Sequence, residues 1–458
     1  MRERAVSASA TSIIQVIPRS RRGVELMLLI VALVVAVGAY VNVGITMQGR
    51  VPASTGYYAA ALVVLAVIAH VTLRLRAPYA DPVLLPCVVL LNGLGLAMIH
   101  RIDLAKDEAT AAEQLTWTAI GVLLFVAMLV AIRDHRRLQA LTYTSGLVGL
   151  VLLILPLLPV IGVTRNGSRI WVNLAGMSFQ PGEVAKLALV IFFAGYLVVK
   201  RDVLALAGHR FLGLDLPRAR DLGPIGLAWL ASLGVLVFER DLGSSLLLFS
   251  LFLVLLYVAT ERSGWIVVGM ALFIAGAFLS YELFGHVRVR VDKWQHPFSD
   301  YGGQLAETLF GMAYGGILGR GLGEGRPDLI VYSRSDSIIG AFAEELGLTG
   351  LMVILLVFLL IVERGLRMAL ACRDVFGKLI AAGLAMSFAV QVFVVIGGVT
   401  DLIPLAGLTT PFMSLGGTSL VANWAIIGLL LRISDQARRP QLPAAPVSEH
   451  TIAMAVQK

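Results

Sequence analysis

Residues 285–336 read GHVRVRVDKWQHPFSDYGGQLAETLFGMAYGGILGRGLGEGRPDLIVYSRSD, a stretch rich in charge, aromatics and glycine. It is flanked by WIVVGMALFIAGAFLSYELF (265–284) and SIIGAFAEELGLTGLMVILLVFLLIV (337–362), each long enough to cross a bilayer. A span needs roughly 20 apolar residues to cover about 30 Å of hydrocarbon. A chain that only had to cross lipid has no use for 52 residues of this mixed, charge-bearing kind between two such runs. The contrast sets the fold class and makes this loop, with the carboxylates at its end, the first place to look for chemistry.

The rest of the chain has the same texture. Of 458 residues, 58% are apolar and only 14% are charged, against about 25% charged in soluble domains. The mean hydropathy is +0.85. About twelve apolar runs can be counted: 24–44, 55–74, 83–99, 114–132, 141–162, 181–199, 223–238, 242–260, 265–284, 337–362, 380–400 and 409–433, the seventh being short. Backbone groups in lipid must bond within their own segment, so runs of this length are helices. The alternation of a membrane barrel is absent. The expected fold is an all-α polytopic bundle of about twelve spans with a large extracellular loop, 285–336, before the tenth. Residues 23–435 form one membrane domain, and 1–22 and 436–458 are polar cytoplasmic tails.

The net charge of +8 is explained by where the cations fall. With the N-terminus in the cytoplasm, 24 of the 37 Lys and Arg fall inside, 12 outside, and Lys186 within a span. Such positive-inside bias orients a protein in a cytoplasmic membrane and favours contact with anionic lipid. It argues against nucleic acid and puts both termini and 285–336 on opposite sides. The two cysteines, Cys87 and Cys372, imply neither a disulfide nor a metal site.

Five constellations could carry chemistry. In RNGSRIWVNLAGMSFQPGEVAK (165–186), Pro181 suits the first turn of a helix and Glu183 its positive end. Lys186 shares the face of Glu183. A local ion pair is the plain reading of Glu183, but a lysine within a span costs roughly 2.5–3.5 kcal/mol and calls for a cavity or a partner. In RSDSIIGAFAEELGLTG (334–350), Asp336 stands where the loop enters a span and could simply cap it. Glu344 lies about 12 Å deeper at 1.5 Å per residue. Glu344 and the adjacent Glu345 require partners or water, Lys186 being one to test. The run YGGILGRGLGEG (314–325) lacks the Lys-Ser/Thr of a phosphate loop and reads as a flexible or close-packed turn. In ERDLGSS (239–245), Asp241 could cap the next span, and Pro404, Pro411, Gly416 and Gly417 break the helix in 401–423, which signals a pocket. His286, His296 and Asp300 have no metal-ligand spacing.

Taken in series, these motifs resemble the SEDS family, the RodA/FtsW/SpoVE polymerases of bacterial cell walls. NGSRIWVNLAGMSFQPGEVAKLALV (166–190), ERDLGSSLL (239–247), HPFSDYGGQ (296–304), GRGLGEG (319–325), SDSIIGAFAEELGLTG (335–350) and GLTTPFMSLGGTSLVANW (407–424) occur in the family's order over roughly residues 141–435. Two apparent extra spans before the first motif are similar to the actinobacterial RodA-like branch. Gly182, Glu239-Arg240, Ser337 and Leu415 depart from the family pattern and leave the charged positions intact.

The resemblance implies a SEDS-like bundle and an inverting peptidoglycan glycosyltransferase. Its substrate would be lipid II, an undecaprenyl-pyrophosphate-linked disaccharide-peptide, joined into β-1,4 glycan at the outer face of the cytoplasmic membrane during elongation or division. The catalytic carboxylate maps onto Asp336. Arg169 and Lys186 are the cations expected at the diphosphate, with Glu183, Glu344 and Glu345 completing the substrate-binding set. Mg2+ or Mn2+ is the cofactor to test, and a class B penicillin-binding transpeptidase is the implied partner. Two readings from other classes compete: a lipid II flippase or secondary transporter using the intramembrane charges, and a scaffold without chemistry.

Overall fold

The computed structural model describes residues 20–165, 167–174, 177–204, 207–211, 214–217, 223–299 and 303–440. Most of both expected tails, Asp300, Arg218 and Arg220 lie outside the described residues. Within them the chain is a bundle of α-helices: α1 (Arg22–Gln48), α2 (Thr55–Arg76), α3 (Leu84–Lys106), α4 (Thr110–Ala131), α5 (Thr142–Ile154), α6 (Pro181–Leu204), α7 (Gly223–Gly234), α8 (Leu242–Thr260), α9 (Gly264–Leu283), α10 (Gly285–Gln295), α11 (Gln304–Gly315), α12 (Ile338–Ala371), α13 (Val375–Val399) and α14 (Gly417–Arg438). Eleven helical stretches among the described residues are long and apolar enough to cross a membrane, α5 counting with its flanking 3-10 turns. The expected seventh span, 223–238, is one continuous helix, α7 over Gly223–Gly234 running on without a break into a wider π-helical turn, Val235–Glu239. The run stops at Glu239-Arg240, where Arg240 turns left-handed (φ 57°).

Two small sheets interrupt the helices. Antiparallel strands β1 (Gly162–Arg165), β2 (Ser168–Leu174) and β3 (Met177–Phe179) lead into α6, and a hairpin of β4 (Ala207–Phe211) and β5 (Leu214–Pro217) follows it. The loop 285–336 folds into α10, α11 and a series of turns.

Burial is graded across the bundle. The spanning windows of α3, α13 and α14 are 83%, 72% and 89% buried, whereas α9 is 17% buried and α1 and α2 are each 33%. The exposed side chains of α1, α2 and α9 are large and apolar, such as Val34, Val64 and Phe278. That inverts a soluble surface and suits contact with lipid.

Close packing decides where the polar loops can sit. A Cβ on Gly95 of α3 would lie 2.5 Å from the carbonyl of Met413, so α3 and the broken segment before α14 meet backbone to backbone. Gly347 kinks α12 with φ 68° and lies against Gly319, whose own φ is 82°. A side chain on either would collide with the other's backbone, and both conformations favour glycine. The glycine-rich run is thus a close-packed turn. Backbone bonds from Leu348 N to Gly316 O (2.9 Å) and from Gly321 N to Glu345 O (2.8 Å) fasten it to α12.

Candidate functional site

Four helices begin at one end of the bundle, and a residue one or two positions before each lines a common cavity of about 680 Å³. These residues are Gln180 before α6, Asp241 before α8, Asp336 at the entry to α12 and Leu415 near the start of α14. Helix N-termini carry unpaired N–H groups and partial positive charge, so their convergence favours an anionic ligand. The opposite wall is α10. Its His286, Val289, Arg290, Lys293 and Trp294 face the cavity at helical spacing. Arg290 donates to the carbonyls of Leu405 and Ala406 at 3.2 and 3.3 Å, and Trp294 Nε1 to Asp401 O at 2.9 Å, which straps α10 across the 401–407 segment.

Asp336 sits half-buried in this wall. It does not cap α12; the cap position belongs to Ser337, which makes no side-chain capping bond. Ser337 Oγ instead accepts from Gln304 Nε2 (3.0 Å) and Thr308 Oγ1 (3.2 Å). The turn carrying Asp336 is held on both sides. Ser335 N and Ser337 N donate to Tyr332 O at 2.9 and 3.1 Å, and Leu415 N to Arg334 O at 2.7 Å. Ser414 Oγ donates to Ser335 O at 2.6 Å. The Arg334 guanidinium reaches Glu108, Thr110 and Asp103 at 2.6, 3.0 and 3.2 Å. A rigid backbone therefore presents a carboxylate to which no described residue donates a hydrogen bond. Burial pushes the Asp336 carboxyl up to about 6; Asp241 adds to the rise and Arg290 opposes it. That combination of a raised carboxyl and an open cavity suits a proton acceptor near neutral pH.

Asp241 is bound differently. It accepts from Gly243 N (3.0 Å), Ser244 N (3.2 Å) and Ser244 Oγ (2.5 Å), so it does cap α8 while lining the cavity. Burial raises its carboxyl too, against those bonds and Arg290.

The other expected site residues are elsewhere. Arg169 is on β2, between residues that line the cavity, but is absent from its wall; its Nε donates to Pro156 O at 3.0 Å. The cations that line the cavity with Asp336 are Arg240, Arg290 and Lys293, and Arg169 is not among them. Glu183 and Lys186 do meet, at 3.0 Å, but in a separate cavity of about 30 Å³ that also holds Gln391. Lys186 is no partner of Glu344 or Glu345. Glu344 accepts from Arg326 N at 2.6 Å, and Glu345 accepts from Arg101 Nε at 2.6 Å and Gly323 N at 3.0 Å. Both carboxylates hold the glycine-rich turn, and neither lines the Asp336 cavity. No group of three or more His, Cys, Asp and Glu able to hold a metal occurs among the described residues.

Arg290 and Lys293 were readable in advance. His286, Arg290 and Lys293 stand at i, i+4 and i+7, the signature of one helical face. Gln391, a lone amide in an apolar run, gave no such signal.

The family model for FtsW, RodA and SpoVE, described as "Cell cycle protein", matches residues 81–439, which leaves α1 and α2 ahead of the match. The peptidoglycan glycosyltransferase RodA of Mycobacterium tuberculosis (strain H37Rv) is 49% identical over 431 residues, 92% of each chain. The protein of the same name from Mycobacterium leprae is 48% identical over 445 residues, 95% of each. Stage V sporulation protein E of Bacillus subtilis is 30% identical over 374 residues, 78% of this chain and 98% of its own. Among solved structures, one described as "Structural coordination of polymerization and crosslinking by a peptidoglycan synthase complex" superposes with a TM-score of 0.62 at 27% identity, covering 78% of this chain and 98% of that one. A mutant of the Thermus thermophilus rod shape determining protein RodA gives 0.56 at 26% identity, covering 79% and 99%. With the family model spanning most of its length and relatives matched almost end to end, this chain belongs to the FtsW/RodA/SpoVE family.

Proposed function

We propose that the protein is an inverting peptidoglycan glycosyltransferase that polymerises lipid II at the outer face of the cytoplasmic membrane. The observation that carries this reading is Asp336 itself, rigidly mounted and raised to about 6, in one cavity with Arg290 and Lys293. The cavity lies at the end of a lipid-facing bundle. A substrate with its tail in the bilayer and its sugars in water needs a site at that boundary. The positive-inside bias supports placing this end outside and both termini in the cytoplasm.

In this reading Asp336 takes the proton of the acceptor sugar's 4-hydroxyl as that oxygen attacks the donor's anomeric carbon. The bond to the diphosphate breaks on the opposite face, so an α-linked donor gives a β-linked product. The leaving undecaprenyl diphosphate takes the electron pair. Arg290, Lys293 and the converging helix N-termini stabilise its charge, as fixed dipoles and cations do in a preorganised site. A base of this kind supplies typically 10²–10⁴-fold. Mg2+ or Mn2+ would be held by Asp241 and diphosphate oxygens, a donor set that suits a cation bound largely through its substrate. Such a cation would neutralise charge on the leaving group. A class B transpeptidase is the proposed partner, supported by the likeness to a chain from a peptidoglycan synthase complex.

The test is purified protein, alone and with its transpeptidase, given labelled lipid II. Asp336→Asn should abolish polymer while the protein remains folded; undiminished polymer would falsify the assignment. Asp336→Asn should impair no transport if the protein were instead a flippase.

A further inference from the structure

Glu183 and Lys186 are buried and paired, and they line a small cavity beside the large one rather than the wall that carries Asp336. Lys186 Nζ donates to Glu183 Oε2 at 3.0 Å and to Gln391 Oε1 at 2.8 Å. Gln391 is 1% exposed and sits in α13. Its other amide atom, Nε2, donates to Thr409 O at 2.9 Å. Lys186 has only donors and the Thr409 carbonyl only accepts, so a single orientation of the Gln391 amide satisfies both. Gln391 therefore joins the charge pair to the broken segment before α14.

That segment continues to Asp336. Thr409 lines the large cavity, and Thr410 N donates to Ser414 Oγ at 2.8 Å. The backbone of 410–414 closes on itself through Met413 N and Ser414 N, both donating to Thr410 O at 3.2 and 3.1 Å. Ser414 Oγ then donates to Ser335 O at 2.6 Å, the carbonyl of the peptide entering Asp336. Every contact on this route has a donor facing an acceptor. It runs from two charges in α6, through α13 and a tight turn, to the backbone that aims the carboxylate.

We propose that Gln391 is a positioning residue for Asp336, and that Glu183 and Lys186 act through it. The ion pair fixes the amide of Gln391, the amide fixes the turn 409–414, and Ser414 fixes the peptide at Ser335. This deepens the glycosyltransferase reading and rests on Asp336 being its base. Misplacement of a reacting group by about 1 Å costs on the order of 10²-fold.

The experiment measures initial polymerisation rates of the full-length protein over a range of lipid II concentrations. The variants are Gln391→Met, Gln391→Glu, Ser414→Ala, Lys186→Met and the double Lys186→Met/Gln391→Met. Each single substitution should lower kcat about 10- to 100-fold with KM unchanged within about threefold, as expected when orientation rather than binding is lost. Gln391→Glu is decisive because it keeps an acceptor for Lys186 and loses the donor to Thr409, so it should be as slow as Gln391→Met. The double variant should be no slower than its slower parent, since both break one route. Wild-type kcat in Gln391→Glu, a raised KM with kcat preserved, or additive losses in the double variant would each overturn the proposal. If Gln391→Met does not fold, Gln391→Glu and Ser414→Ala decide the matter. An active Asp336→Asn overturns both readings; an inactive Asp336→Asn beside a normal Gln391→Glu overturns this one alone.

Discussion

Asp336 and the pair Glu344/Glu345 stand within nine residues of one another along one strand of sequence, yet they belong to opposite kinds of environment. Glu345 is fully buried and holds the Arg101 guanidinium and a backbone N–H, and Glu344 holds another. Arg101 in turn donates to Gly325 O at 2.5 Å, so three segments close on these two carboxylates. Asp336 has a clamped backbone and a head to which no described residue donates a hydrogen bond. The difference teaches that a carboxylate beside a span is informative only through what it lacks. Occupied lone pairs mean architecture; a rigid mount with an unoccupied carboxylate means availability for chemistry.

The largest expected effect comes from removing that availability. Asp336→Asn should lower lipid II polymerisation by about 10²–10⁴-fold, read as glycan on a gel, without loss of folded protein. The raised pKa gives a further sign. The folded state of Asp336 favours the protonated form, so stability declines as pH rises from the ordinary carboxylate range through about 6. Asp336→Asn should therefore melt higher than the parent at pH 7.5, and the gap should close near pH 4. Activity should move the other way. Because the base must be ionised, kcat/KM should fall about tenfold per unit below pH 6 and level off above it. A flat profile between pH 5 and 7 would remove Asp336 from the role of base.

The structural carboxylate should behave in reverse. Arg101→Met leaves the buried Glu345 carboxylate without its ion-pair partner, which costs about 3–5 kcal/mol. Thermal unfolding in detergent should drop accordingly, with activity per folded molecule largely kept. Gly319→Ala should be milder, on the order of 1–3 kcal/mol, because it strains a left-handed backbone against Glu345 O. Smallest of all, Arg169→Gln should change kcat/KM by less than about twofold, since its guanidinium is turned to Pro156 O and does not line the cavity. A large loss there would restore Arg169 to the diphosphate and blur the contrast.

Much of this was legible along the chain. Hydropathy alone marked the spanning helices, because lipid forces each segment to satisfy its own backbone. The short seventh run was visible as a weak span, and it ends at Glu239, where Arg240 turns left-handed. The position of Asp336 between a wet loop and a greasy helix marked it as a candidate, a helix cap being the equal alternative, and the catalytic role proposed for it came from the family resemblance. The basic face of α10 was present in the spacing of His286, Arg290 and Lys293, though a loop reading hid it.

Helix periods, span lengths and charge bias depend on neighbours within a turn or two, and reading residues in order was enough to establish them. Partnership is another matter. Arg101 meets Glu345 across 244 positions, Lys186 meets Gln391 across 205, and Ser414 meets Ser335 across 79. Which of several buried charges finds a mate depends on how helices lean together and where glycines let backbones touch. Only the folded bundle could separate the carboxylate left open for a substrate from the two that hold the molecule shut.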